Sequence, residues 1–432
     1  MASDDGGVLA SRASLDKAGR VLSGRTVVGE YEALELEDVF DEYRKSHLEP
    51  LSEVTLELQD WLSQYDSTYY IAQRLKRKPQ IIRKLQRFSV RLTQLQDIGG
   101  CRIIVDTNAD VERLLGFLES RVASQDQMSL ERVTDYRELG RDDSGYRAVH
   151  LILNRSGCKL ELQVRSRIQH YWAESIERTS VIYGHYLKEL EGDPVVVEYF
   201  KRLSDLFYEI ESDRLPNTPQ KLQIAELRDA AETVIEQADT RMVFDSYVHE
   251  GIIKTLVEKE KHLGGPGLNN WIFVFDWNQG AFVSWDVVAR DPDVAIKKYV
   301  EHERAFPSED NFEVVLVGSS EVATIRETHS HYFGINSQDA VLESLDESIV
   351  GFSHHMDIDV GARQILACLS RKHMWGKKTI TPDTLRNHFC KNVLTFDTSL
   401  QTLIDKGLVR KATAISGISL DIKRKSEIED YL

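Results

Sequence analysis

The 432-residue sequence lacks any apolar run that approaches the ~18–20 residues of a membrane-spanning helix. Its first residues have neither the basic nor the apolar region of a signal peptide. Its few cysteines stand alone, without a CxxC pair: Cys101, Cys158, Cys368 and Cys390. The spacing predicts neither a disulfide framework nor a zinc site. We therefore expect a cytoplasmic protein with no membrane partner.

The chain also has a deficit of positive charge, with 54 Lys and Arg against 70 Asp and Glu and a net charge of −16. This balance argues against sequence-independent affinity for nucleic acid, because phosphate contacts need a local density of cations. One segment departs from the average, because residues 74–91 contain eight Lys or Arg and no Asp or Glu. Such a basic segment in an acidic protein predicts a local anionic ligand.

Length and composition predict about three domains, at roughly 150 residues each. Residues 1–25 are rich in Gly, Ser and Asp and are predicted to be disordered. Residues 26–263 alternate helical and strand patterns, and a small α/β module is predicted at 264–340, after the Gly-Gly-Pro-Gly break at 264–267. Residues 355–432 have the outline of a winged helix. The predicted fold class is α/β, with a mixed sheet flanked by helices and followed by these two smaller units.

Within 26–263, apolar alternation predicts strands at 69–74 and 101–105 and a hairpin of 146–153 with 159–165. Apolar residues at helical spacing predict helices, which we place at 79–88, 109–122 and 167–183.

The basic segment contains a candidate phosphate site. Lys76, Arg77 and Lys78 lie just before a predicted helix that begins at Pro79. Helix N-termini present unpaired N–H groups and the positive end of the helix dipole, so cations placed there favour a bound phosphate. A solvated cationic helix face would have the same sequence, and that alternative stays open.

A candidate metal ligand follows at Asp97, which stands beside two glycines at the entrance of the strand 101–105. One carboxylate together with substrate phosphates is a common way to hold Mg²⁺. An aspartate that merely forms a turn is the alternative.

The predicted hairpin carries a third group of polar side chains. In the strand 159–165, the period of two places Glu161, Gln163 and Arg165 together on the face opposite the leucines. In the partner strand, Tyr146 and His150 share a face, and Tyr146 could offer an aromatic plane to a nucleotide base. A surface strand and a tyrosine of the core are the alternatives.

These pieces occur in an order that resembles the RelA/SpoT synthetase domain. That family's motif R-x-K-x-x-x-S-I-x-x-K appears as RLKRKPQIIRK at 74–84, with Gln80 in place of Ser. The family's D-I-A-G-x-R appears as DIGGCR at 97–102, and G-Y-x-S-x-H appears as GYRAVH at 145–150. Its E-I-Q-I-R-T…W-A-E appears as ELQVRS…WAE within 161–174.

The resemblance implies an ATP-dependent pyrophosphokinase. In that family's pattern, Arg74 and Arg102 would bind the adenine of ATP between two planar cations. Lys76 and Lys84 would hold its phosphates.

The resemblance also implies that Asp97 and Glu161 hold Mg²⁺ or Mn²⁺. Glu161 would in addition take the proton of the attacking 3′-hydroxyl. Tyr146 would stack on the base of the acceptor. The remaining acceptor-binding residues would be His150, Gln163 and Arg165.

The acceptor itself stays open. Family members that act on guanosine nucleotides often carry R-x-K-D-Y, where this chain has Thr134 in place of Lys, and Arg141-Asp142 replaces Pro-Lys of the following loop. The first hypothesis is a (p)ppGpp-type alarmone synthetase that uses GDP or GTP. The second is a toxin-like or anti-phage pyrophosphokinase acting on another 3′-hydroxyl, such as the tRNA 3′ end. The third is a non-enzymatic nucleotide-binding regulator. The C-terminal region is predicted to contact a protein or a ligand, and homo-oligomer formation is left open.

Overall fold

The computed structural model describes residues 10–238, 256–258, 260–261, 268–278, 281–288, 290–329, 332, 358, 360–391, 393, 396–411 and 417–431. Its central feature is a mixed sheet with the strand order β3-β4-β5-β2-β1-β8-β6-β7. The strands are β1 Tyr69–Leu75, β2 Gly99–Val105, β3 Met128–Asp135, β4 Val149–Arg155, β5 Cys158–Ser166, β6 Asn269–Asp276, β7 Ala281–Val288 and β8 Phe312–Ser319. The pair β2–β5 is parallel, and the other pairs of this sheet are antiparallel.

Helices cover both faces of this sheet. They are α1 Arg12–Leu22, α2 Glu30–Lys45, α3 Leu48–Leu62, α4 Lys78–Arg87, α5 Asn108–Ala123, α6 Arg167–Tyr183, α7 Pro194–Glu211, α8 Thr218–Ala238, α9 Pro292–Ala305 and α10 Val322–Thr328. One face buries the alternate apolar residues of β2 and β5, such as Ile103 and Leu162, against α3 and α5. The opposite face carries the polar side chains of β5 and is covered by α6 and, over β1 and β8, by α10.

Two of the predicted elements, the β4–β5 hairpin and helix α4, depend on the chemistry of single residues. The hairpin β4–β5 closes through Ser156 and Gly157, whose φ angles of 54° and 86° are those of a tight two-residue turn between twisted strands. Helix α4 has Pro79 in its first turn, where the missing N–H costs no intrahelical bond, and buries Ile81 and Leu85. The helix predicted at 167–183 has those bounds in the structure.

The prediction of disorder over 1–25 is wrong for the part that the structure describes. Residues 12–22 form α1, whose N-cap Ser11 accepts a hydrogen bond from the backbone of Ser14. Leu15 and Ala18 are buried, and a Cβ at Gly19 would lie 2.9 Å from Leu92 Cβ. The prediction was wrong because it used the average composition of residues 1–25, which does not reveal a short amphipathic helix within them. Residues 1–9 lie outside the described part.

Smaller differences concern element ends. Thr107, and not Asn108, caps α5, because its side chain accepts from the backbone of Asp110. β4 begins at Val149, so Tyr146 lies in the preceding loop. Strand β3 was not predicted at all, because five of its residues, 129 and 131–133 and 135, are exposed and only Met128 is fully buried.

The segment predicted as a small α/β module, 264–340, contributes β6, β7 and β8 to the same sheet as β1. The connection is the antiparallel pair β1–β8, in which Gln73 lies opposite Gly318 and Arg74 opposite Val317. Its apolar residues Trp271, Phe273 and Val315 pack in one cluster with Ala72 of β1. The module is therefore continuous with the preceding segment in hydrogen bonding and in core. The break at 264–267 lies outside the described residues.

The C-terminal elements are α11 Val360–Arg371, α12 Pro382–Thr384, which continues as a wider turn over Leu385–Phe389, α13 Phe396–Asp405, β9 Val409–Lys411, β10 Ile418–Leu420 and α14 Lys425–Asp430. They bury an apolar cluster whose members all lie between Ile358 and Tyr431. The three helices and the two-stranded sheet follow the predicted outline, and the classification as a winged helix stays a prediction. Within the described residues, no helix is long and apolar enough to cross a membrane.

These contacts predict different results for two truncations. A fragment 1–352 keeps the whole eight-stranded sheet, and we expect it to unfold cooperatively at a temperature close to that of the full chain. A fragment 1–263 loses β8, which exposes the edge of β1 and the apolar faces beneath β6 and β8, so we expect it to aggregate. Thermal unfolding and size-exclusion chromatography measure both. A monodisperse 1–263 fragment as stable as 1–352 would contradict the continuity of the sheet.

Candidate active site

The carboxylate of Asp97 lies between two lysines. Lys76 leaves the end of β1 and places Nζ 2.5 Å from Asp97 Oδ2, and Lys84 of α4 places Nζ 2.8 Å from the same oxygen. The backbone N–H of Lys76 donates to the carbonyl of Ile98 (2.7 Å), which joins the two segments next to these side chains. The structure thus brings Asp97 into contact with the basic segment.

Charge and burial act in opposite directions in this cluster. Burial raises the pKa of Asp97, but the two ammonium groups outweigh it and hold the pKa well below its ordinary value. Burial lowers the pKa of Lys76, and Asp97 opposes that change. Asp97 Oδ1 is buried without a hydrogen-bond partner among the residues that the structure describes. One oxygen of an ionised carboxylate is thus left to a ligand.

A hydrogen-bonded network extends from Glu161 on β5. His150 Nδ1 lies 2.9 Å from Glu161 Oε1, and Gln163 Nε2 donates to Glu161 Oε2 (2.7 Å). His150 Nε2 lies 2.7 Å from Tyr146 Oη, to which Arg165 Nη2 donates at 2.7 Å. These hydrogen bonds connect the five polar residues that were assigned to the hairpin from the sequence.

The network sets the ionisation of its members. Burial raises the pKa of Glu161, but the hydrogen bond and charge of His150 outweigh it, so the carboxyl stays ionised. Burial lowers the pKa of His150, whereas Tyr146 and Glu161 raise it to about 9. Burial raises the pKa of Tyr146, whereas Arg165 and His150 lower it to about 7.

Close backbone approach brings Asp97 and Glu161 together. The parallel pair β2–β5 sets Gly100 opposite Glu161, and a Cβ at Gly100 would lie 3.3 Å from the Glu161 carbonyl oxygen. Asp97 is close enough to raise the pKa of Glu161. A side chain at position 100 would press on the backbone of Glu161.

Arg74 and Arg102 lie on the face that carries Glu161. In the pair β1–β2, Ala72 stands opposite Arg102 and Arg74 opposite Gly100, so the two arginines are diagonal neighbours. They line a cleft of 90 Å³ together with the other residues of the site, which are Ala72, Lys76, Asp97, Gly100, Cys101, Glu161, Gln163 and His329.

The end of α10 covers this cleft. Arg102 Nη1 donates to the carbonyl of Thr328 (2.6 Å) and to Glu174 Oε1 (3.1 Å), and His170 Nε2 donates to the carbonyl of Glu327 (2.7 Å). If a base binds between Arg74 and Arg102, as the resemblance implies, we expect the Arg102 contact with the Thr328 carbonyl to be released. Sequence reasoning missed this cover, because nothing in the local pattern of 322–328 indicates a contact with residues more than 150 positions earlier.

Tyr146 does not offer an open ring in this conformation. Its exposed fraction is 7%, and it packs among apolar residues of α6 and α7. Arg165 Cζ lies 5.0 Å from the ring centroid, and Trp172 contacts the ring from another side. The role of Tyr146 as a stacking surface stays a prediction that needs this side chain to become accessible.

A larger cleft of 710 Å³ lies beside α4, between α6 and α9. Among its charged side chains, Arg83 pairs with Glu189 at 2.7 Å and Lys188 pairs with Glu177 at 2.7 Å. Residues of three of the four motifs line the smaller cleft, and His150 of the remaining motif contacts Glu161 there, so we place the candidate site in that cleft.

The donor set fits a divalent cation that is shared with phosphate. Asp97 and Glu161 are both ionised, and Asp97 has the buried oxygen without a partner noted above. In the described ranges, no cluster of three or more His, Cys, Asp or Glu side chains could hold a metal ion alone. Two carboxylates completed by substrate oxygens are the arrangement that Mg²⁺ commonly adopts.

Comparison with known proteins gives a family for this part of the chain. Residues 73–186 match the family described as a region found in RelA/SpoT proteins. Uncharacterized proteins of Mycobacterium bovis and Mycobacterium tuberculosis are 29% identical over 130 residues, which cover 28% of this chain and 43% of each relative. The chain thus matches less than half the length of these curated relatives.

Part of the chain is also similar to solved structures of small alarmone synthetases. Small alarmone synthetase 1 from Bacillus subtilis, bound to its product pppGpp, is 18% identical with a TM-score of 0.33, over 39% of this chain and 91% of that chain. Small alarmone synthetase 2 from Bacillus subtilis is 19% identical with a TM-score of 0.33, over 40% and 92%. Residues 73–186 therefore carry the region found in RelA/SpoT proteins.

The burial of His170 predicts how stability depends on pH. Burial lowers its pKa from 6.5 to about 3, so below pH 6.5 the unfolded chain binds a proton that the folded chain does not. The folded state therefore loses up to about 1.4 kcal/mol per pH unit as the pH falls from 6.5 towards 3. We expect His170→Gln, which keeps a donor for the Glu327 carbonyl, to make this loss shallower.

Urea unfolding at several values between about pH 7 and pH 4 measures the slope. The exposed His185, changed to Gln in the same way, is the control. Parallel curves for the wild type and His170→Gln would contradict the buried, neutral state of His170.

Proposed function

We propose that this protein is a pyrophosphokinase that transfers the β,γ-pyrophosphate of ATP to the 3′-hydroxyl of a second nucleotide. The observation that carries the proposal is the ionised Asp97 between Lys76 and Lys84, next to the Glu161 network, inside the RelA/SpoT match. In the reaction, the 3′-oxygen forms a bond to the β-phosphorus, the bond from that phosphorus to the α–β bridging oxygen breaks, and AMP leaves.

Lys76 and Lys84 would bind the phosphates that carry the developing charge. A Mg²⁺ or Mn²⁺ ion bound by Asp97 and Glu161 would neutralise phosphate oxygens and orient them. With Asp97 so engaged, the ammonium groups that now contact it are available to the triphosphate. Phosphoryl transfer depends mainly on such positioning and charge neutralisation.

Glu161 would accept the proton of the 3′-hydroxyl. His150 and Gln163 each engage one of its carboxylate oxygens, which fixes the plane of the group. Its lowered pKa keeps it ionised at neutral pH, so it can act as a hydrogen-bond acceptor for the hydroxyl throughout the approach.

For the acceptor we propose GDP or GTP, with the tRNA 3′ end as the second candidate. One observation favours the second: Thr134 of β3 lies directly opposite His150 in the pair β3–β4. The position at which guanosine-using relatives often have a lysine thus adjoins the predicted acceptor site without a cation.

Incubation with γ-labelled ATP and, separately, GDP, GTP, ATP and bulk tRNA tests the proposal. Label in the guanosine nucleotides supports the first candidate, and label in tRNA alone supports the second. If no acceptor is labelled, a nucleotide-binding regulator replaces the proposed enzyme.

Glu161→Gln should lower the rate of transfer by about 10²–10⁴-fold, because the variant cannot accept the proton. Binding of ATP measured without a divalent metal should change little, because Lys76 and Lys84 are unchanged. Single-turnover kinetics and equilibrium ATP binding measure the two effects. Glu131→Gln, on the exposed strand β3, is the matched control. Undiminished transfer by Glu161→Gln would remove Glu161 from the mechanism.

Activity should require Mg²⁺ or Mn²⁺ and should depend on Asp97. EDTA should abolish transfer, and Asp97→Asn should need a higher metal concentration to reach half of its maximal rate, because the neutral amide is a weaker ligand. A metal titration of the rate measures this shift. Transfer that persists in EDTA, or an unchanged titration curve for Asp97→Asn, would show that the metal assignment is wrong.

A further inference from the structure

The junction between β1 and α4 carries the predicted phosphate ligands, yet it has little local support. Arg77 is the N-cap of α4 and makes no side-chain capping hydrogen bond. Lys76 directly follows the last residue of β1, and its ammonium group contacts Asp97. The supporting contacts come from elements distant in sequence.

A buried ion pair holds the backbone of the junction from one side. Arg44 of α2 is completely buried and donates from Nη2 to the Lys76 carbonyl (3.2 Å). The same guanidinium binds both oxygens of Glu303 on α9, Nη1 to Oε2 at 2.9 Å and Nη2 to Oε1 at 3.2 Å. Glu303 therefore orients the group that fixes the Lys76 carbonyl.

A second ion pair holds the next residue. Arg77 Nη1 lies 2.6 Å from Glu313 Oε1 on β8, and the Glu313 side chain is 5% exposed. Trp277 Nε1 donates to Glu313 Oε2 (2.7 Å), and Tyr332 Oη donates to Glu313 Oε1. The aromatic donors fix the carboxylate, which in turn fixes Arg77.

Both carboxylates belong to the part of the chain that follows the family match. Residues 73–186 contain Lys76, Arg77 and Lys84, but Glu303 and Glu313 lie more than 100 positions later. The pair β1–β8 delivers Glu313, because β8 runs antiparallel to β1 and its first residues lie beyond the end of β1. Glu303 lies on α9, which packs against β8.

We infer that Glu303 and Glu313 are positioning residues, which place the phosphate-binding lysines of the β1–α4 junction through Arg44 and Arg77. The inference rests on the proposed function. Neither carboxylate contacts Lys76 or Lys84 directly. Each holds a buried cation that is bonded to, or adjacent to, Lys76. Removal of Glu313 takes away the carboxylate that pairs with Arg77, and removal of Glu303 leaves Arg44 with its longer contact to Asp41 (3.3 Å). In either case we expect the buried guanidinium to shift towards another partner or towards water.

Binding of α,β-methylene ATP with Mg²⁺ to the full-length chain tests this. We expect Glu303→Gln and Glu313→Gln to weaken the affinity by about 2- to 30-fold, the range for residues that act through a packed network. Glu57→Gln is the matched control, because Glu57 pairs with Arg155 at 3.0 Å and is 21% exposed, close to the 15% of Glu303, but lies away from the junction. Thermal unfolding is measured on all variants.

The control separates a positioning role from a loss of stability. Glu57→Gln should lower the unfolding temperature without lowering the affinity for α,β-methylene ATP. Glu303→Gln and Glu313→Gln should lower both the unfolding temperature and the affinity. Glu313→Asp and Glu303→Asp keep the charge and should recover part of the affinity. If a Gln variant does not fold, the affinity of the corresponding Asp variant is compared with that of the wild type.

Two negative results have different meanings. If the wild type binds α,β-methylene ATP and the junction variants bind it equally well, the positioning inference is wrong and the proposed function stands. If the wild type itself does not bind the analogue, the proposed function fails and the inference fails with it.

Discussion

Most of the site depends on the contact of one carboxylate with two ammonium groups. Asp97 Oδ2 lies within 2.8 Å of both Lys76 and Lys84, so the end of β1, the start of β2 and the helix α4 meet at one atom. Asp97 provides a negative charge to these two half-buried lysines. Under the proposed function, the two lysines would exchange this carboxylate for phosphate oxygens when the carboxylate binds a cation.

The sheet supports this contact from both sides. On one side of β1, β2 leads to β5 and to the Glu161 network, and on the other side β8 brings the carboxylate that binds Arg77. The RelA/SpoT match ends at residue 186, whereas the structural unit that holds its first motif extends at least to residue 319. The end of α10 also belongs to this unit, because its last carbonyls bind Arg102 and His170.

The sequence predicted the local features of the site well, and for a physical reason. Period-two alternation predicted that Glu161, Gln163 and Arg165 share one face of a strand. The order of the motifs indicated a family resemblance, which implied that Asp97 and the basic segment belong to one site. Local patterns could not predict the pair β1–β8, which joins residues about 245 positions apart: Gln73 to Gly318. Hence the segment 264–340 was predicted as a separate module, and Arg44, Glu303 and Glu313 went unnoticed. Each of these three residues is a charged residue in a helix or strand, and nothing in the sequence around it indicates its distant partner.

A structure of the full chain with α,β-methylene ATP and Mg²⁺ tests the central claim most directly. We expect the triphosphate to contact Lys76 and Lys84, a metal ion to bind Asp97, and the adenine to lie between Arg74 and Arg102. We also expect that Arg102 no longer binds the Thr328 carbonyl. A nucleotide bound elsewhere, with Asp97 still paired to both lysines, would contradict the account.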